Sequence, residues 1–298
     1  MKRAFIVDST ANIRPELLDE PGIYELPIGI HLHNGDELTE MRQSEVVKAF
    51  YRRLVDEDPL PKTTQPPLQA YYRVFDDCLE AGVDEVFVLL LAANISGSYQ
   101  SANVVAEEYA DRLTIHVIET GTTAAWIGYL LDICRALDQK GASSEAIEQA
   151  LTDLLPETYF TLFVKDLTNL VKGGRAGATQ AMFGKIFNIT PVIHMEADGC
   201  FYPKDRVRSK KRLYKRLLQD VADHVATYEH GLAKLVVLHA DNEAEALDLY
   251  HRLEDIYPGV PIELGDITPA IGVHIGRGTV ALSSMPKVNL EAYLHGTD

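Results

Sequence analysis

Glu85-Val-Phe-Val-Leu-Leu-Leu91 is the stretch that decides the fold. One charged residue is followed by an unbroken apolar run, with no polar residue at alternate positions. A strand exposed on one face alternates, so this run predicts a strand covered on both faces, as in a parallel sheet. On its C-terminal side, residues 96–110 read as a helix and 114–118 as the next strand. On its N-terminal side, residues 4–7 form another short apolar strand ending in Asp8-Ser9-Thr10. Strand and helix in alternation predict a three-layer α/β/α domain with a parallel sheet. Ligands of such sheets bind beyond the carboxyl ends of the strands, where Ser9, Thr10 and Ser96 are expected.

Between the first two strands, residues 24–32 read as extended and Asn34-Gly35-Asp36 as a turn. Residues 44–55 have helical spacing, with Val46, Val47, Phe50, Tyr51 and Leu54 on one face. Pro66 and Pro67 open a further helix running to about residue 81, since proline suits a first turn. The helix starting near Thr122 has Trp126, Ile127, Leu130, Leu131, Ile133 and Leu137 and little polar face. Such a helix is either a central core element or the wall of an apolar cavity. A helix opened by Ser143-Ser-Glu145 ends near Pro156, and the domain boundary is placed there, dividing 1–156 from 157–298. Beyond it come strands at 159–164 and 191–195, a hairpin turn at Asp198-Gly199 and a helix over 210–229. A strand at 234–239, a helix over 242–257 and a strand at 278–283 complete an α+β second domain.

The 298 residues are 46% hydrophobic and 24% charged, which describes a globular protein of two ordinary domains. Forty-four acidic residues against 28 basic ones leave a formal charge of −16. That balance argues against nucleic acid and anionic membranes as partners, since both need a basic footprint. Cys78, Cys134 and Cys200 are far apart and form no CxxC, hence neither a zinc set nor a disulfide framework. Charge appears too early in Met1-Lys-Arg-Ala-Phe5 for a signal peptide, and no apolar run reaches spanning length. The expectation is a cytoplasmic protein without stable membrane insertion.

Lys62-Thr-Thr-Gln-Pro-Pro67 and Ile95-Ser-Gly-Ser-Tyr99 each place small hydroxyl residues at an expected helix start. Unpaired N–H groups and the positive dipole end make such a place a holder for a small anion or carboxylate. Equally, Ser and Thr cap ordinary helices. His274, in Gly272-Val-His-Ile-Gly-Arg-Gly278, has glycines that allow close backbone approach and an imidazole that can bond an anion. A lone His in an apolar strand is otherwise a structural residue. Lys204-Asp-Arg-Val-Arg-Ser-Lys-Lys-Arg212 is a basic cluster at a helix start, where cations are unfavourable unless an external anion meets them. There is no phosphate loop of the Gly-x-x-x-x-Gly-Lys-Ser/Thr type, no His-Glu-x-x-His helix and no Gly-x-Ser-x-Gly elbow. Asp8, His274 and Ser96 as a triad is an inexpensive idea in a chain of this length.

Taken in order with Ile6-Val-Asp-Ser-Thr10, Gly173-Gly-Arg-Ala-Gly177 and Val207-Arg-Ser-Lys-Lys211, these motifs resemble the DegV family of bacterial lipid-binding proteins over nearly the whole length. The resemblance implies a DegV-like two-domain fold, with a mixed sheet in the second domain. It implies no cofactor, a single long-chain fatty acid as ligand in an interdomain tunnel, and a separate fatty-acid kinase as partner, this chain being non-catalytic. Carried over residue by residue, it implies fatty-acid contacts at Thr63 and Ser96, with Thr64 beside them, and at His274, Gly97 and Gly276. It also implies partner or phosphate contacts at Arg208, Arg175 and Arg277. Two departures stand out. Ala92-Ala93 replaces a frequent Ser-Ser pair, and Arg277 stands where relatives commonly have Pro or a small residue. The rival expectations are a hydrolase or phosphotransfer enzyme using His274 or the hydroxyl pair, and a regulatory protein with a filled core.

Overall fold

In the computed structural model the apolar run from Glu85 is a strand in the interior of a parallel sheet, buried at every position. All residues are described except 40–42, 166, 176–189, 197 and 295–298, so Ala176 and Gly177 of the glycine motif lie outside the described residues. The N-terminal part runs β1 (Arg3–Asp8), β2 (Ile23–Leu26), β3 (Gly29–His31), β4 (Glu37–Leu38), α1 (Ser44–Leu54) and β5 (Lys62–Thr64). It continues through α2 (Leu68–Glu80), β6 (Glu85–Leu90), α3 (Ser98–Tyr109), β7 (Thr114–Glu119), α4 (Ala125–Gln139) and α5 (Ser144–Leu154). The C-terminal part holds β8 (Tyr159–Phe163), α6 (Thr168–Lys172), β9 (Thr190–Met195), β10 (Phe201–Val207) and α7 (Lys210–Val225). Then follow β11 (Leu232–His239), α8 (Glu243–Ile256), β12 (Ile262–Asp266), α9 (Pro269–Ile275) and β13 (Val280–Pro286).

Strands β2-β1-β6-β7 form the parallel sheet. Side chains alternate across it. Ala4, Ile6, Val86, Val88 and Leu90 pack with Tyr71 and Phe75 of α2 and Val105 of α3. Phe5, Val7, Phe87 and Leu89 face the other way, into a core with Trp126, Ile127 and Leu130 of α4. These are the three layers expected from the alternation of strand and helix.

The second sheet, β10-β9-β8-β13-β11-β12, is antiparallel except for its β11–β12 pair. One face is covered by α7 and α8 through Leu213, Leu217, Leu249 and Leu253. The other face, with Phe160, Leu162, Val236, Leu238 and Ala281, joins the same core as α4. Helix α4 therefore lies between two sheets, which is why it is apolar nearly all round. Its Trp126 indole donates to the Tyr159 carbonyl of β8 at 3.0 Å, and the Tyr129 hydroxyl donates to the Pro286 carbonyl of β13.

Local expectations fail at two places in the N-terminal part. Val46 does not share the buried face of α1; it is 43% exposed. Thr63 and Thr64 sit on a strand rather than at a helix start, because Lys62–Thr64 pairs antiparallel with Gly29–His31 in a small sheet of order β4-β3-β5. Helix α2 begins only at Leu68, after both prolines. Among the described residues no helix is long and apolar enough to cross a membrane.

Phe87 is fully buried, with its ring 5.9 Å from that of Phe5 and stacked at 4.5 Å on His116. Phe87→Ala should lower the unfolding free energy by about 3–5 kcal/mol in urea titrations. A loss below about 1 kcal/mol would contradict the double-sided burial of β6.

Candidate functional site

Three chain segments leaving the parallel sheet converge on one cavity. Thr10 follows β1, Leu91 follows β6 and Thr123 precedes α4, so the cavity lies at the carboxyl ends of the strands. Its volume is about 360 Å³. Thr63, Thr64 and Gln65 from the β5 region line it, as do Ser96 and Gly97 before α3. Ala270, Ile271, His274 and Ile275 of α9 close it from the C-terminal part, together with Arg175 and Phe201.

Adjacent strand residues point to opposite sides, and the two threonines of β5 accordingly find different partners. The Thr63 hydroxyl is 2.8 Å from His274 Nε2, whereas the Thr64 hydroxyl is 3.0 Å from His31 Nε2. Ser96 Oγ accepts the N–H of Ser98, the first residue of α3, at 3.2 Å and shares a hydrogen bond with the Ser98 hydroxyl at 2.9 Å. It thus stands at a helix N-terminus, as the sequence predicts. Gly97 leaves room for Gln65: a Cβ there would collide with the Gln65 amide oxygen, and Gln65 Nε2 donates to Ser101 Oγ at 2.5 Å.

His274 is on a short helix rather than a strand. Pro269 opens α9 and Gly276, at φ 81°, ends it, its N–H returning to the Gly272 carbonyl at 2.8 Å. His274 Nδ1 is buried without a hydrogen-bond partner among the described residues and lies against Gly173, where any Cβ would come within 2.6 Å of it. Burial, reinforced by the nearby Arg175 charge, pushes the His274 imidazole down to about 4, so it is neutral near pH 7. The Arg175 guanidinium donates from Nη1 to the Gly173 carbonyl at 2.6 Å and from Nε to the Ile95 carbonyl at 3.3 Å. Burial lowers its proton affinity as well.

The described lining contains no Asp or Glu, in a chain with 44 of them. What it offers is a guanidinium, a neutral imidazole and hydroxyls, with Ile28, Leu91, Ile95, Phe201, Ile271 and Ile275 among them. That set suits an anionic head joined to an apolar body. Asp8 belongs to the scaffold instead. Its carboxylate accepts from Thr10 N–H and Oγ1 at 2.8 and 2.5 Å and from Leu91 N–H at 2.7 Å. Burial raises its proton affinity, and no hydrogen bond links it to His274. Among the described residues no group of three or more His, Cys, Asp or Glu is placed to hold a metal ion.

Of the contacts implied by the resemblance, Gly276, Arg277 and Arg208 do not line this cavity, nor does Ser9, expected beside Thr10. Gly276 packs beside Asn169, whose amide donates to the Val273 carbonyl at 2.9 Å, so it supports α9 from behind. Arg277 turns outward to Asp241 at 2.7 Å and borders a separate groove of about 900 Å³ with Lys165, Lys172 and Lys210. Arg208 is exposed, immediately before Ser209, which caps α7 by accepting from Arg212 N–H. At Ala92-Ala93, the Ala93 N–H is held by the Glu119 carboxylate at 3.0 Å. Ala92 touches Gly199 of the β9–β10 hairpin so closely that a Cβ on Gly199 would collide with it. The lining residues Gln65, Thr123 and Phe201 were not anticipated as ligand contacts. Gln65 lay inside a quoted motif; Thr123 and Phe201 carry no local signal.

The family model described as "Uncharacterised protein, DegV family" matches residues 2–287. The chain belongs to the DegV family. DegV domain-containing proteins of Streptococcus pneumoniae and Staphylococcus aureus are 28% and 29% identical over 288 and 286 residues. The matches cover 97% and 95% of this chain and 100% and 96% of theirs. Among solved structures, a fatty acid binding DegV family protein from Streptococcus agalactiae superposes with TM-score 0.87 at 27% identity, covering 97% of this chain and 100% of that one. A DegV lipid binding protein from Thermotoga maritima does so with TM-score 0.83 at 26% identity, covering 96% and 98%. The parallel N-terminal sheet and mixed C-terminal sheet are those of this family's structures.

Because His274 is held neutral, the unfolded chain takes up a proton between pH 6.5 and about 4 that the folded protein refuses. Its contribution is therefore intact above pH 6.5 and lost as pH falls, by about 2–3 kcal/mol at pH 4.5. His274→Gln should lose correspondingly less stability than the wild type between pH 7 and 4.5 in urea titrations. Equal losses in both proteins would show that the imidazole is hydrated in the folded state.

Proposed function

We propose that this chain binds one long-chain fatty acid between its two domains, 1–156 and 157–298, and presents the carboxylate to a separate kinase in the cytoplasm. Thr63 and Ser96 hydroxyls hold the carboxylate, with Thr64 and Gly97 beside them. His274 and Arg175 complete the polar end, and Gly276 fixes α9. The chain itself performs no chemistry; phosphorylation of the bound carboxylate by the partner feeds phospholipid metabolism. The observation that carries this reading is a cavity whose described lining holds no acidic residue but one half-buried guanidinium, in a chain of net charge −16. The fatty acid binding named for the Streptococcus agalactiae structure supports it. Energetically, each buried CH₂ contributes about 0.8 kcal/mol, so the tail supplies most of the affinity and the head group sets orientation.

Mass spectrometry of the denatured, freshly purified protein should recover a saturated or mono-unsaturated fatty acid at about one per chain. Thr63→Val and Ser96→Ala should each weaken binding by about 1–3 kcal/mol, the loss of a charge-assisted hydrogen bond. Absence of lipid together with no uptake of added fatty acid would remove the proposal.

The kinase contact is assigned to Arg208, Arg175 and Arg277. The exposed position of Arg208, in a basic stretch of an acidic chain, supports the first of these. Arg208→Ala should leave fatty-acid binding intact and slow kinase-dependent acyl phosphate formation, most at low ionic strength. Wild-type rates at every salt concentration would assign Arg208 to its helix start alone.

A further inference from the structure

Helix α1 belongs to the N-terminal part, yet one of its faces grips the C-terminal part. Ser44, Lys48 and Tyr51 follow helical spacing and so share that face. Ser44 Oγ donates to Asp266 Oδ2 at 2.6 Å, Lys48 Nζ pairs with Glu243 Oε2 at 3.3 Å, and the Tyr51 hydroxyl donates to the Ile267 carbonyl at 2.8 Å. Asp266 and Ile267 lie just before α9, the helix that carries His274.

Tyr51 is fully buried, and its ring meets α9 at Gly272. A Cβ on Gly272 would overlap the Tyr51 hydroxyl and ring, coming 2.6 Å from Cζ. The absence of a side chain there is what allows ring and helix to touch. Helix α9 has only seven residues, so its own hydrogen bonds do little to fix it, and its position depends on what packs against it. The chain continues from α1 into β5 and Thr63, the partner of His274.

We infer that α1 is a clasp and that Tyr51 is a positioning residue for His274, holding α9 where its imidazole meets Thr63. The inference deepens the fatty-acid reading: the clasp keeps the two halves of the head-group site in register, and its release separates them. Phe50, Val47 and Leu54 bury the rest of α1 in the shared core, so the fasteners can be altered while the helix stays anchored.

The test uses the full chain with Tyr51→Phe, which keeps the ring and removes the hydroxyl, and with Gly272→Ala, which forces the ring away. Two quantities are read: the His274 titration by NMR without ligand, and the dissociation rate of cis-parinaric acid by fluorescence. In wild type the buried imidazole is expected to titrate well below its ordinary value, at about 4. In Gly272→Ala it should move toward the ordinary value near 6.5 as water reaches the ring. Dissociation should speed up roughly three- to tenfold in Tyr51→Phe, as for a lost neutral hydrogen bond, and by more in Gly272→Ala. Should Gly272→Ala fail to fold, Tyr51→Phe decides. A lowered melting temperature with an unchanged His274 titration and unchanged dissociation would overturn the inference, leaving Tyr51 an ordinary core residue. If wild type takes up no cis-parinaric acid, the fatty-acid reading fails, while the titration still judges the clasp.

Discussion

Everything in this molecule is arranged around α4, a helix that presents apolar side chains in nearly every direction. Each sheet needs one face covered from the inside, and α4 covers both at once. The indole of Trp126 and the hydroxyl of Tyr129 are then buried far from water and must find acceptors. They find them on the C-terminal sheet, at the carbonyls of Tyr159 and Pro286. Two apolar surfaces and two directed hydrogen bonds thus fix one sheet against the other. The cavity opens where α4 begins, after Thr123 and at Ala124, whose φ of 56° is unusual for a residue with a side chain. A sharp backbone reversal brings the chain from the sheet edge into the core and leaves space beside it.

The polar end of that space has an electrostatic character unlike the rest of the surface. A neutral imidazole can donate or accept according to tautomer, and a half-buried guanidinium can only donate. Both are held by backbone or hydroxyl groups, so among the described residues no carboxylate of the lining competes for an anion placed between them. Asp8, the buried acid at the end of β1, is occupied by three donors from its own scaffold. Its task is to shape the turns after β1 and β6.

Legibility followed the range of the forces involved. The continuous run of β6, the apolar run of α4 and the serine start of α5 are local patterns, and they predict their elements well. Strand β5 exists only through pairing with β3, some thirty residues earlier, and the two prolines after it imitate a helix opening. His274 stands in an apolar segment bounded by glycines, which reads as a strand; Pro269 and Gly276 are the signals that mark it as helix. Thr63, Ser96, His274 and Arg175 come together as lining residues, although they are far apart in sequence. The placement of Gly276 behind α9 and of Arg277 toward Asp241 was beyond sequence reading, because it depends on which way a short helix is rotated.

The contact between Ala92 and Gly199 ties together two positions more than a hundred residues apart. One is a methyl-bearing turn after the parallel sheet, the other a glycine at φ 73° in a hairpin of the mixed sheet. There is no slack between them, so a larger side chain at either place displaces the hairpin and with it Phe201, a wall of the cavity. The two sites form a size-matched couple. The spacing of the hairpin from the parallel sheet is thus set by one methyl group meeting one bare Cα, so the wall at Phe201 inherits its position from a contact that lies outside the cavity lining.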